Sequence, residues 1–222
     1  MAGRHYPLIS REIWLTLLIL VILASLASAV YNDFVALPFW LLTVLLAFLF
    51  RDPERVVPAQ PLAVVSPVDA RVISVEQVNN PFFPGESIRI VLKMSCWGIF
   101  RVRSPMEGKM QNRWLLVPGD TFPESTGQIK DTQISGWIRS DEGDNIVLSM
   151  YKSAKILYPR YSVQTGERTG QGQRCGINPF GSIVELFIPT GSKIMVKVDD
   201  VVKSGNHVLA LLRHGEKSQQ RP

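Results

Sequence analysis

The sequence predicts a mainly β fold: a barrel-sandwich-like β domain preceded by a two-helix transmembrane hairpin. Three observations lead there. Two apolar runs without a charge stand near the start, short strand-like runs broken by turn signals fill the remainder, and no long helical periodicity appears after residue 50. At 222 residues, the chain has room for one domain of good size and an appendage.

The first apolar run is IWLTLLILVILASLASAV, residues 13–30, and the second is FVALPFWLLTVLLAFLF, residues 34–50. Each lies at the lower edge of the ~20 residues that cross a ~30 Å hydrocarbon core. Only Tyr31, Asn32 and Asp33 separate them. Backbone in lipid must satisfy its own hydrogen bonds, so two helices joined by a tight turn are expected. Arg4 and Arg11 precede the pair, and Arg51 and Arg55 follow it. The positive-inside rule then places both ends in the cytoplasm. A cleaved secretory leader competes for the first run, since ASA at 27–29 resembles a cleavage site, but a second apolar run follows at once. Trp14 and Trp40 are candidate interfacial anchors. The anchor is set at 1–50 and the β domain at 51–222.

From Arg51 the texture changes. RDPERVVPAQPLAVVSP carries four prolines and reads as an extended linker docked on the domain. Strand-like runs follow over 70–78, 87–94, 98–104, 108–117, 145–151, 155–159, 182–189, 193–198 and 207–213. They are rich in β-branched residues, and NNP, PGD, DEGD and KSGN mark turns between them. Crossover helices have no sequence to occupy, so a barrel or sandwich is expected rather than a parallel sheet. The end, TGSKIMVKVDDVVKSGNHVLALLR, reads as strand, turn, strand, the hairpin of biotinyl- and lipoyl-like barrel-sandwich domains.

A net charge of +5 and an isoelectric point of about 9.4 suit nucleic acid or an anionic membrane surface. With an apolar hairpin in the chain, the membrane surface is the expected partner, and no nucleic-acid motif is present. Cys96 and Cys175 are too few for a disulfide framework and are expected to be reduced in a cytosolic domain. There is no CxxC, HExxH or Cys/His cluster, so no protein-bound metal is expected.

Five segments, taken in order, carry a resemblance. They are LFRDPERVVP (49–58), SPVDA (66–70), MSCWGIFRVRSPMEG (94–108), PGDTF (118–122) and GQRCGINPFGSIVELFIP (172–189). In this order they resemble the short, membrane-anchored form of the phosphatidylserine decarboxylase family, whose members depend on a pyruvoyl group. The last segment is the most specific, and the ordered set is stronger than any one motif.

The resemblance implies self-processing at the Gly181–Ser182 bond. Ser182 Oγ would attack the Gly181 carbonyl, and the acyl group would move from nitrogen to oxygen. The ester would leave by β-elimination, and hydrolysis of the resulting dehydroalanine would release ammonia. A pyruvoyl group derived from Ser182 would then head an α chain, 182–222, beside a β chain, 1–181. That covalent cofactor would take the amine of phosphatidylserine as a Schiff base and act as the electron sink while CO₂ leaves, giving phosphatidylethanolamine. The residue types suit this chemistry. Serine supplies a hydroxyl nucleophile that needs a base, and glycine tolerates close approach and unusual backbone geometry. A lipid substrate implies the cell's inner membrane, with the catalytic domain on the cytoplasmic face. Lys93, Arg101 and Arg103, with Arg51 and Arg55 of the linker, are candidates to meet the anionic headgroup, at about 1 kcal/mol per basic side chain near such a surface. The plainer reading of any one of them is a strand residue facing water.

The resemblance also assigns activation of the serine to an Asp and a His. Asp69 of SPVDA matches the Asp, with Ala70 where the family has Gly. Phe100 stands at the main histidine position, and Arg103 at the place of a further one. The chain's histidines are His5, His207 and His214. Phenylalanine cannot move a proton, and general acid–base catalysis is worth ~10²–10⁴-fold. Three readings stand. Asp69 acts alone, its pKa raised by burial. Cys96, otherwise a small buried apolar residue, takes over with its thiol activated by Arg101 or Arg103. Or the chain is a catalytically degenerate relative, a membrane-attached lipid-binding or interaction protein.

Overall fold

The computed structural model describes residues 13–51, 53, 55–58, 60, 62–95, 99–152, 158–179 and 183–213. The chain forms two compact units, Met1–Glu54 and Arg55–Pro222.

In the first unit, α1 runs Trp14–Val30 and α2 runs Asp33–Leu49. Asn32 caps α2, its Oδ1 accepting the Val35 N–H at 3.0 Å. Ala24 and Ala36 are buried, while Leu15, Leu18, Phe34, Leu41 and Val44 are each more than half exposed. Apolar runs therefore became helices, as expected, but their length corrects the transmembrane reading. Each helix has 17 residues, about 25 Å, short of a ~30 Å hydrocarbon core. No described helix is long and apolar enough to cross a membrane.

The second unit is built of strands. The first are β1 (Ala63–Val65), β2 (Ala70–Asn79), β3 (Glu86–Met94), β4 (Arg101–Arg103) and β5 (Gly108–Leu116). Then come β6 (Thr121–Phe122), β7 (Ser125–Gln128), β8 (Gln133–Arg139) and β9 (Asn145–Tyr151). Three short strands follow, β10 (Arg160–Tyr161), β11 (Arg168–Thr169) and β12 (Arg174–Ile177). The chain closes with β13 (Ile183–Pro189), β14 (Lys193–Ile194), β15 (Val201–Val202) and β16 (Val208–Leu211). Eight of them make one curled antiparallel sheet in the order β11-β5-β8-β9-β13-β3-β2-β15. Two three-stranded sheets, β1-β16-β14 and β10-β12-β4, and the β6-β7 ribbon complete the unit.

The alternation along β13 shows how the layers form. Val184, Leu186 and Ile188 enter the main core, and Phe187 enters a second cluster on the opposite face. The main core joins Val72, Ile90, Leu92, Met110, Ile138 and Leu148 of the large sheet to Val102 of β4, Cys175 of β12 and Leu209 of β16. The small sheets thus pack on the inner face of the large one. On the other face, Phe82 stands edge-on to Phe122 and Phe187, with ring centres 5.6 Å apart in both pairs.

Two Ser-Pro turns enter the sheet in the same way, Ser66–Val72 into β2 and Ser104–Met110 into β5. Ser66 Oγ donates to the Val68 carbonyl and Ser104 Oγ to the Met106 carbonyl, both at 2.7 Å. Gly205 N–H donates to Ser66 O at 2.7 Å, and Gly172 N–H to Ser104 O at 2.9 Å. The turns also bond each other: Arg103 N–H donates to Pro67 O and Val65 N–H to Pro105 O, both at 2.8 Å. An edge strand then flanks each long strand, with Val202 opposite Ala70 and Thr169 opposite Gly108. The β unit is an internal near-duplication about these turns.

The terminal hairpin is more elaborate than expected. Lys193 pairs with Leu211, but the chain between detours so that Val201 pairs with Arg71 of β2. Of the expected strand 155–159, residues 155–157 lie outside the described residues, and Tyr158 and Pro159 are not in a strand.

Strand β8 was not expected, and Gly136 is the reason. A Cβ there would lie 2.7 Å from Tyr161 Cζ. The glycine marks a close approach rather than a break in the strand. Gly136→Ala is therefore expected to cost about 1–3 kcal/mol by overpacking, seen as a lowered midpoint in thermal denaturation.

Candidate functional site

Gly181 and Ser182 lie outside the described residues, as do Cys96, His5, His214, Arg4 and Arg11. The chain on either side of the Gly181–Ser182 bond is held firmly. Upstream, Ile177 pairs with Arg101, and the Asn178 N–H donates to the Phe100 carbonyl at 2.8 Å. Downstream, Ile183 pairs with Lys93, which pairs in turn with Arg71. Ser95 N–H donates to the Asp69 carbonyl at 3.2 Å, which ties the end of β3 to the turn carrying Asp69.

Asp69 is gripped by charge. Arg55 donates from Nη1 to Oδ1 and from Nη2 to Oδ2, each at 2.7 Å, a bidentate pair. Ser204 N–H donates to Oδ1 at 2.8 Å. A carboxylate offers about four acceptor positions, so one position on Oδ2 remains open among the described residues. Arg55 of the linker thus docks on the β unit, and Val57 packs against Gly172 where a Cβ would have no room. His207, the one histidine among the described residues, lies in the same loop as Ser204, and its Nδ1 accepts the Lys203 N–H at 3.0 Å.

The other candidate residues separate into buried and exposed. Phe100 is 1% exposed and belongs to the core. Arg101 and Arg103 are buried on β4 and do not face water. Arg103 Nη1 donates to Gly172 O at 3.2 Å, and its stem fills the space where Gly205, at φ +71°, lacks a Cβ. Lys93 is exposed. In the helical unit, the Arg51 guanidinium lies 4.1 Å from the centre of the Phe48 ring. Asn178 was not singled out from sequence. Its side chain is wholly buried, and neither Oδ1 nor Nδ2 has a partner among the described residues. An Asn-Pro pair ahead of Phe-Gly-Ser was the available signal, since that pair initiates turns.

Burial sets the electrostatics nearby. The Cys175 thiol is pushed up to about 12 by burial, with the Arg101 charge working against it, so it is inert as a nucleophile at neutral pH. On the opposite face, Tyr151 OH donates to Glu185 Oε2 at 2.9 Å, and Arg89 Nη1 stands 3.9 Å from Oε1. Burial raises the Glu185 pKa, with the Tyr151 hydrogen bond and the Arg89 charge opposing it. Burial likewise raises Tyr151.

Comparison with known proteins agrees with the ordered motifs. A family model described as phosphatidylserine decarboxylase matches residues 42–210. The phosphatidylserine decarboxylase proenzyme of Nitrosomonas europaea is 34% identical over 209 residues, covering 92% of this chain and 95% of the relative. That of Nitrosomonas eutropha is 31% identical over 212 residues, covering 94% and 97%. That of Burkholderia multivorans is 30% identical over 217 residues, covering 93% and 97%. No solved structure matches.

The sign of the Glu185 effect is testable. A carboxyl whose pKa is raised on folding favours the folded state below its ordinary value of 4.5, and that contribution is lost as pH rises through the raised value. Glu185→Gln is expected to raise the thermal midpoint at neutral pH relative to the parent. The gain should shrink to nothing below about pH 4.5. Melting curves across that pH range check it.

Proposed function

The chain belongs to the phosphatidylserine decarboxylase family, and we propose that it is a carboxy-lyase converting phosphatidylserine to phosphatidylethanolamine and CO₂. The observation that carries this reading is the family match over residues 42–210, in a chain whose strands β12 and β13 flank the Gly181–Ser182 bond.

A pyruvoyl group derived from Ser182 fits these surroundings. β12 is held by β4 and β10, and β13 by β3 and β9, so cutting between Gly181 and Ser182 leaves each new end anchored in its own sheet. A pyruvoyl group there would supply an electron-withdrawing ketone. The chain's own residues prepare it. The open position on Asp69 Oδ2 takes the hydroxyl proton of Ser182, while Arg55 and Ser204 keep the carboxylate aimed. The buried Asn178 carboxamide keeps its hydrogen-bonding capacity unspent among the described residues, four positions before Ser182. Lys93, exposed beside Ile183, meets the phosphate of the headgroup. Arg101 and Arg103 brace β4 from inside.

The helical unit is proposed as the membrane attachment, with the β unit at the cytoplasmic face of the inner membrane. Helices apolar on all sides need apolar surroundings, and the basic residues flanking them favour the anionic cytoplasmic leaflet. A second reading, a non-cutting relative that binds lipid, is favoured by one observation: a buried phenylalanine, Phe100, at the position of the family's histidine.

Purified full chain reconstituted with phosphatidylserine is expected to release CO₂ and form phosphatidylethanolamine, and Ser182→Ala to abolish both. Asp69→Asn is expected to slow chain cleavage by ~10²–10⁴-fold, the usual worth of a general base. A parent protein that makes no phosphatidylethanolamine, beside a Phe100→His variant that does, would establish the second reading.

A further inference from the structure

The large sheet presents an exposed row in which Lys93, proposed to meet the headgroup phosphate, is one member of a larger patch. Ile183 pairs with Lys93, Lys93 with Arg71, and Arg71 with Val201, so one register line crosses β13, β3, β2 and β15. Residues paired in this way share a face. Their neighbours along each strand, Val184, Leu92, Val72 and Val202, are buried in the main core, so the four side chains of the row point outward. Ile183 is 44% exposed and Val201 63%. Ile73, next outward on β2, and Val198, beside β15, are similarly open at 43% and 53%.

The composition of this patch is specific. Short aliphatic side chains stand at both ends, with two long cationic side chains between them. Lys93 has no ion-pair partner among the described residues. Arg71 Nη1 stands 3.8 Å from Asp199 Oδ1 and donates to the Asp199 carbonyl at 3.5 Å, with both side chains more than half exposed, a pair of little worth in water. Asp199, Asp200 and Glu185 are the acids at its margin; Asp200 caps the Lys197 N–H at 2.7 Å, and Glu185 is engaged with Tyr151 and Arg89. Elsewhere on this outer face the apolar residues are covered, as Phe82, Val147 and Phe187 are. An aliphatic patch with central cations matches a bilayer surface, where methyl groups enter the headgroup layer and cations meet lipid phosphates.

We propose that the row Ile183–Lys93–Arg71–Val201, with Ile73 and Val198, is a second membrane contact that seats the β unit on an anionic bilayer. This inference rests on the proposed lipid substrate. It deepens that reading, because Ile183 directly follows Ser182 and Asp69 lies two residues before Arg71. The row therefore sets the reacting end of the sheet against the headgroup layer, independently of the helical anchor.

An environment-sensitive fluorophore on a single accessible cysteine, Cys175 being buried, tests this without requiring turnover. In a Cys96→Ser full chain, Val201→Cys is labelled, with Leu115→Cys, equally exposed on β5, as the control. Each is reconstituted in vesicles of phosphatidylcholine alone and of phosphatidylcholine mixed with phosphatidylglycerol. The expected result is a blue shift at position 201 in the mixed vesicles and none at 115. High salt, or Arg71→Glu with Lys93→Glu, should abolish the shift. A label at 201 that stays as aqueous as at 115 in both lipids overturns the proposal. So does a shift that follows protein concentration rather than lipid charge, which marks a second copy as the occupant. A shift at 201 in a chain that makes no phosphatidylethanolamine sinks the decarboxylase reading and keeps the docking surface; turnover without the shift does the reverse.

Discussion

Two backbone hydrogen bonds hold the Ser-Pro turns against each other, from Arg103 N–H to Pro67 O and from Val65 N–H to Pro105 O. The reacting end of the β unit is built outward from that clasp. One turn carries Asp69 and leads into β2. The clasped partner leads back along β4 to Phe100, whose carbonyl holds Asn178 on the approach to Gly181. Arg55 then closes on Asp69 from the linker, and Ser204 closes on it from the terminal loop. Four stretches far apart in sequence are brought together, the turns by backbone bonds and the linker and terminal loop by the Asp69 carboxylate. Proline suits such turns, because it fixes φ and its missing N–H costs nothing where only the carbonyl is used.

The place of β13 gives the fold its tolerance of a cut. It is an interior strand, paired along most of its length with β3 on one side and β9 on the other. Its inward residues, Val184, Leu186 and Ile188, are buried in the main core. A fragment beginning at residue 182 would take this strand with it, together with β14, β15 and β16, each of which pairs outside the fragment or with a strand that does. Burial and ladder bonds of that extent hold two chains together without a covalent link. The half-buried Glu185 on the reverse face is the costly feature of the strand, and it accepts a hydrogen bond from half-buried Tyr151 of β9.

Much of this was legible in the residues. Strands β2, β3, β5, β9 and β13 fall where β-branched apolar runs placed them; β2, β3 and β5 alternate between core and outside, while β9 and much of β13 are buried on both faces. The ordered motifs pointed to the family that the chain matches over residues 42–210. What alternation could not show were contacts made by small or polar residues. Gly136 disguised β8, since a strand glycine reads as a break until Tyr161 is seen lying across it. Arg101 and Arg103 look like solvent-facing cations on an alternating strand, yet β4 is covered on both sides by the clasp and by β12. Asn178 gave only a turn signal, and its burial depends on packing from β4. The apolar runs at the start were read correctly as helices, each of 17 residues, and no described helix is long and apolar enough to cross a membrane.

The central claim is that the chain cuts itself at Gly181–Ser182 and makes its cofactor from the serine, with Asp69 rather than a histidine at Phe100 receiving the proton. Intact-mass measurement of the purified full chain tests it most directly, because one spectrum reports both the cut and the new end group. Two species are expected, one ending at Gly181 and one beginning at residue 182 with a pyruvoyl in place of the serine. A single species at the uncut mass of 24.9 kDa, with Ser182 unmodified, would contradict it.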